Sequence, residues 1–145
     1  MTLLNEMLLE VVTPSGLALR TSVQSTSAPS IHGEFTVLPG HIPVLAALKP
    51  GLLSYRASQK DHAAAVDTGF IEVTPSHVIV LTEHFLRPED IDGEAVRAEL
   101  QQAEMQLAAL KEGIEGAKFI ELQHKIAWCM ARLELKAWKE KQFST

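Results

Sequence analysis

The apolar residues of this chain change period at Arg87-Pro88. Upstream they sit in short runs at every second position, which puts alternate side chains on one face of a strand. Downstream they recur at every third or fourth position, the spacing of a helix stripe. Proline at the junction lacks an N–H and biases its neighbour away from helix, so the two regimes meet at a break. Strands first and helices last, within 145 residues, make an α+β chain with its two parts in series.

Upstream strand candidates are Leu8–Val12, Leu17–Thr21, Glu34–Leu38, Val44–Leu48, Leu52–Arg56, Ala63–Asp67, Phe70–Val73 and Val78–Thr82. Turn formers separate them: Pro14-Ser15-Gly16, Pro29, Pro39-Gly40, Pro50-Gly51, Gly69 and Pro75-Ser76. Strands this short, broken roughly every 8–12 residues and with no helix between them, predict an antiparallel β-sandwich over residues 1–87. Pro39 presets φ and Gly40 supplies the positive φ of a type II turn. Phe35/Val37 and Ile42/Val44, each spaced by two, read as strand residues flanking it in a buried β-turn-β.

Residues 88–145 read as an antiparallel helical hairpin. Asp92 or a neighbour caps the first helix, whose opening turn is acidic. Val96, Leu100, Ala103, Leu107, Leu110 and Ile114 form one stripe; Gly113, Glu115 and Gly116 mark a turn; Phe119, Leu122, Ile126, Cys129 and Leu133 form the facing stripe. Seven acids against two bases in residues 88–112 face six bases against four acids in residues 113–145, an attraction that selects orientation. The second arm also carries a rotated stripe, Trp128, Ala131, Leu135 and Trp138. Two tryptophans left in water exceed what a monomer's surface ordinarily tolerates, so this face docks on the sandwich or on another protein.

Chemistry-bearing patterns are missing. No phosphate-binding glycine loop occurs, and Gly113-Ile114-Glu115-Gly116-Ala117-Lys118-Phe119 has the wrong spacing for one. Histidines 32, 41, 62, 77, 84 and 124 show no metal-ligand grouping, and no nucleophile elbow frames a serine. The carboxylates Glu89, Asp90 and Asp92 lie at a helix start, where the dipole accounts for them. Neither catalysis nor a cofactor nor a metal is expected. A net charge of −5 argues against nucleic acid. The single cysteine, Cys129, reads as a buried small hydrophobe in a reducing compartment. The start, Met1-Thr2-Leu3-Leu4-Asn5-Glu6-Met7, lacks a basic leader region, and no apolar run approaches the ~20 residues of a membrane span. The expectation is a cytosolic chain, or one held at a membrane only through a partner.

Gly33-Glu34-Phe35-x-Val37-Leu38-Pro39-Gly40-His41-x-Pro43, then Leu48-Lys49-Pro50-Gly51, resembles the signature of the epsilon subunit of F-type ATP synthase. Gly69-Phe70-Ile71-Glu72-Val73 and Val78-x-Val80-Leu81 resemble that family's later strands. Glu89-Asp90-Ile91-Asp92, with Ala95, Leu100 and Ala103-Glu104, resembles the start of its C-terminal helices. The resemblance covers nearly the whole chain. It implies about ten strands followed by a helical hairpin, in a non-catalytic subunit of the central stalk that binds the gamma subunit and the c-ring. It further implies an arm that extends toward the alpha/beta catalytic hexamer and restrains ATP hydrolysis, with the chain on the cytoplasmic face of an energy-transducing membrane. A free-standing sandwich that binds a small ligand under a helical cap is the alternative.

Carried onto these positions, the resemblance makes Glu34, Pro39, Gly40 and His41 candidates for contact with the rotor ring or gamma. Glu34 also reads as a solvated turn residue, and His41 as a hydrogen-bonding partner within its turn. Thr36 departs from the glycine more usual there. Arg132, Lys136, Lys139 and Lys141 are candidates to meet acidic surfaces of the catalytic subunits, or form a solvated face. Some members bind ATP through Ile/Leu-Asp-x-x-Arg-Ala. Here four residues separate Asp92 from Arg97-Ala98, and the two extra turn Arg97 by roughly 200° around a helix, which argues against nucleotide binding by this pair.

Overall fold

The computed structural model describes residues 5–111, 113 and 116–143. Ten strands come first: β1 Met7–Thr13, β2 Gly16–Val23, β3 Ser25–Ser30, β4 Gly33–Val37, β5 Val44–Leu48, β6 Gly51–Ala57, β7 Lys60–Val66, β8 Gly69–Thr74, β9 His77–Thr82 and β10 Phe85–Leu86. A single turn of 3-10 helix, Pro88–Asp90, leads to helices α1, Gly93–Ala108, and α2, Ala117–Phe143. The strands form one continuous sheet in the order β10-β7-β6-β3-β5-β8-β9-β1-β2, with β4 added on β3. It folds into two layers at β3 and β5, which share the single register pair Ser30↔Leu48. Among the described residues every pairing is antiparallel except β1 with β9, where Leu9 lies beside Val78.

Strand alternation builds the core between the layers. In β1, Met7, Leu9 and Val11 are buried while Leu8, Glu10 and Val12 are not. Leu9, Val11, Val23, Val37, Leu53, Ile71, Val73, Val78 and Val80 point into one cluster, each under 2% exposed. In β7 the run Ala63-Ala64-Ala65-Val66 is buried throughout. Val66 joins the sandwich core, whereas Ala63 and Ala65 face outward into a second cluster with Ile91, Val96, Cys129 and Leu135. A strand covered on both faces loses the alternation of a half-exposed one.

The structure corrects several expectations. Ser25–Ser30 is a strand, and Pro29 lies within it opposite Glu34. Phe85–Leu86 is a further short strand on β7. The turn at Pro39-Gly40 does not join a paired hairpin, because β4 pairs with β3 and β5 pairs with β8. Ile42 belongs to no strand and is 72% exposed, so the segment is not buried there. The Gly40 N–H donates to Pro75 O at 2.8 Å, tying the loop to the β8–β9 turn and leaving Leu38 and Ile42 outside. The first helix ends at Ala108, before Leu110. Ile114, Glu115 and Met1 to Leu4 lie outside the described residues.

Asp92 caps α1, its side chain accepting from the Ala95 N–H at 3.3 Å. α2, with 27 residues, is about 40 Å long and outruns α1. It packs on α1 along one side and on β6 and β7 along another.

Candidate functional site

The seam between α2 and the sandwich centres on Asp67, just past the end of β7. Its carboxylate is 1% exposed and receives three donors. His84, beyond β9, donates from Nδ1 to Oδ2 at 2.8 Å, and the Thr68 N–H donates to Oδ1 at 2.7 Å. The third comes from the helix: His124 Nε2 to Oδ1, 2.7 Å. Burial alone would push the Asp67 carboxyl up, but bonds from His84, His124 and the Thr68 amide outweigh it and hold it below the usual carboxylate range. Thr82 fixes the turn by donating to the carbonyls of Asp67 and His84 at 3.1 Å and accepting from the Asp67 N–H at 2.9 Å.

Trp128 continues the seam, its ring stacked on His84 with centroids 5.5 Å apart. Leu135 is fully buried in the cluster with Ala63 and Ala65, and Ala131 is 3% exposed. Trp138 is half-buried and shares a cleft of about 250 Å³ with Tyr55, Arg56 and His62. The alanines of β7 make a low floor, and Leu135 and the two tryptophans of α2 pack in the cluster built on it. Burial pushes the Cys129 thiol up, and Glu99 adds to the shift.

Three of the basic residues of α2 have local partners in this docked arrangement. Arg132 donates to Glu99 at 3.1 Å and lies over the Trp128 ring. Lys136 Nζ donates to Ile91 O at 3.3 Å, and Lys139 sits over Phe143. Among the described residues no hydrogen bond or ion pair joins Asp92 to Arg97; the Asp92 side chain is spent on the Ala95 N–H. The Arg97 guanidinium lies over Gly93, and the small cleft beside Asp92 is lined by Asp90, Glu99 and Arg132 instead. A cleft lined by three carboxylates, Asp90, Asp92 and Glu99, and one guanidinium is a poor setting for phosphates.

Glu34 stands exposed on β4, a strand paired on one side only, by β3, among the described residues. Past its end, the His41 N–H donates to Leu38 O at 3.0 Å with Gly40 at φ 85°, closing the type II turn around Pro39. The His41 ring donates from Nδ1 to Ile42 O at 2.7 Å.

A broader surface lies on the other layer. Register pairs Ala47↔Phe70, Phe70↔Leu81, Leu81↔Val12 and Val12↔Leu17 set five apolar residues in one row across β5, β8, β9, β1 and β2. Phe70 is 55% exposed, Leu81 49% and Leu17 56%. The adjoining row places Leu45, 70% exposed, beside Glu72, Ile79, Glu10 and Arg20.

Neither Asp67 with its histidines nor the apolar row emerges from the sequence as a site. Asp67 lies 17 residues from His84 and 57 from His124, so no local spacing joins them. The row did leave a trace, since Phe70 and Glu72 alternate with the buried Ile71 and Val73.

The family described as "ATP synthase, Delta/Epsilon chain, beta-sandwich domain" matches residues 6–88. An ATP synthase epsilon chain of Nitratidesulfovibrio vulgaris (strain DP4) is 41% identical over 128 residues, covering 88% of this chain and 93% of that one. One from Syntrophobacter fumaroxidans is 37% identical over 127 residues, covering 88% and 92%. Among solved structures, a chain of the Euglena gracilis mitochondrial ATP synthase (OSCP/F1/c-ring) superposes with a TM-score of 0.80 at 22% identity, over 92% of this chain and 82% of that one. The likeness to that structure speaks for the fold, and the sequence relatives for the lineage. This chain therefore belongs to the ATP synthase epsilon-chain family, whose members are non-catalytic subunits of the enzyme's stalk.

Proposed function

We propose that the sandwich holds the motor's turning shaft through its outer apolar face while the helical hairpin, on the opposite side, is a releasable arm that restrains ATP hydrolysis. The observation that carries this is the row Ala47, Phe70, Leu81, Val12 and Leu17. An apolar stripe across a sheet, rimmed by Glu10, Arg20 and Glu72, has the make-up of a protein interface. The gamma subunit is its assigned occupant, and the free edge of β4 with Glu34, Pro39, Gly40 and His41 is assigned to the c-ring.

The arm reading draws on the separation of the cores. Helices and β7 share a cluster of their own, so the hairpin has a cover to leave without opening the sandwich. Once extended, Arg132, Lys136 and Lys139 exchange their local partners for acidic surfaces of the alpha/beta hexamer. No described helix is long and apolar enough to cross a membrane, and attachment to the cytoplasmic face of an energy-transducing membrane is assigned to the complex. A role in ion-driven ATP synthesis follows from that placement.

The test is assembly. Phe70→Glu with Leu81→Lys is expected to leave the free chain folded and to abolish recovery with gamma and the catalytic subunits from solubilised membranes. Undiminished recovery overturns the interface. Removing residues 88–145 is expected to raise ATP hydrolysis by the assembled motor, and an unchanged rate under every condition overturns the arm's role.

A further inference from the structure

Asp67 is the point where one buried carboxylate is shared between the body and the arm. Two of its donors, His84 and the Thr68 N–H, belong to the body and stay when the arm leaves. The third, His124, arrives with α2. A buried charge that lost its only partner would make release prohibitive, whereas a carboxylate that keeps two donors and gains water does not. The same turn also presents His84 to the Trp128 ring, so one body element sets both a polar and an aromatic contact with the helix. Thr82 braces that turn from inside through bonds that involve no helix residue. In the apolar part of the seam Leu135 clusters with Ala63 and Ala65, whose short side chains offer a helix little to register against.

We propose that Asp67 is a latch: His124 closing on it sets the docked fraction of the helical hairpin and fixes where along β7 the helix comes to rest. This deepens the arm reading above and depends on it for its physiological meaning, but the latch itself is a property of the free chain.

The experiment uses the full-length chain in solution, with Cys129 as its reporter. Cys129 is the chain's one cysteine and is fully buried in the seam cluster, so its alkylation rate follows the fraction of molecules with the seam open. Emission from Trp128 and Trp138, the chain's two tryptophans, reports the same event. His124→Ala is expected to speed alkylation about tenfold and to shift emission to the red, as loss of one charge-assisted bond requires. Asp67→Asn is expected to do the same, and the double variant no more than Asp67→Asn alone, because the contact that both substitutions weaken is the one joining helix to body, the His84 and Thr68 bonds lying within the body. His124→Gln, which keeps a donor, is expected to recover part of the loss. An unchanged alkylation rate in His124→Ala, or effects of the two substitutions that multiply, overturns the latch. Should Asp67→Asn fail to fold, the His124 pair of variants decides alone. The restraint of hydrolysis is decided separately, in the motor, by removal of residues 88–145.

Discussion

Glu99 of α1 accepts a hydrogen bond from the Arg132 guanidinium of α2 at 3.1 Å, binding the two rods of the hairpin to each other. The Arg132 side chain is 13% exposed, lies over the Trp128 ring at 5.3 Å and reaches Cys129 Sγ at 3.3 Å. Arg132→Ala is therefore expected to cost about 1–2 kcal/mol through lost packing as well as lost charge. Arg132→Lys should recover only part of this, because an ammonium lacks the planar fork. In a urea-unfolding cycle with Glu99→Gln, coupling of about 0.5–1 kcal/mol is expected. Strict additivity would make the pair incidental.

Acid should undock the arm. Asp67 is held below its ordinary value of 3.8, so its contribution is complete above that pH and is lost as pH falls through the lowered value. Once protonated, the carboxyl no longer accepts charge-assisted bonds from both His84 and His124. Tryptophan emission followed downward from neutral pH should show a red-shifting step below 3.8 in the native chain. Asp67→Asn, with no charge to lose, should remove that step. Identical acid profiles for the two chains would place the acid sensitivity elsewhere.

Legibility followed the physics of each segment. Val44–Leu48 is a strand to the residue, with Pro and Gly on both flanks to bound it. Ser25–Ser30 was invisible because its buried polar members spend their groups inside the chain: Thr26 donates to Ser54 O at 2.9 Å and Ser30 to Gly33 O at 2.6 Å. Only the tertiary pairing makes that segment a strand. The Trp128 stripe announced a docking face, but what it met depended on the outward alanines of β7, whose run in the sequence does not say which side is covered. Ile42 misled because alternation around Pro39-Gly40 takes no account of the Gly40–Pro75 bond that carries the loop away.

Two glycines that look alike in sequence should respond very differently. Gly40, at φ 85°, has nothing within 4 Å of an added Cβ, so Gly40→Ala is expected to cost about 1 kcal/mol of backbone strain. At Gly69, φ 159°, a Cβ would stand 1.8 Å from Leu81 O, inside the β8–β9 ladder beneath the apolar row. Gly69→Ala is expected to cost more than about 3 kcal/mol or to prevent folding, since neither strand can yield without breaking pairs. Thermal melts of the two variants compare them directly. Equal losses would mean that the close approach at Gly69 relaxes freely.

The two hydrophobic clusters predict two separable losses. Leu135 and Leu53 are both fully buried, but Leu135 sits with Ala63, Ala65 and Cys129, and Leu53 is wholly inside the sandwich. Leu53→Ala should cost about 3–5 kcal/mol of body stability, because a closed core collapses little around the void. Leu135→Ala should cost nearer 2 kcal/mol, since the helix can settle onto the alanine floor. That cost should fall on docking, with faster Cys129 alkylation, red-shifted tryptophans and slow-exchanging amides in β1, β8 and β9 left protected. Leu53→Ala should instead speed exchange in those strands. If Leu135→Ala deprotected the sandwich strands to the same extent, body and arm would unfold as one unit and no arm would be free to leave alone.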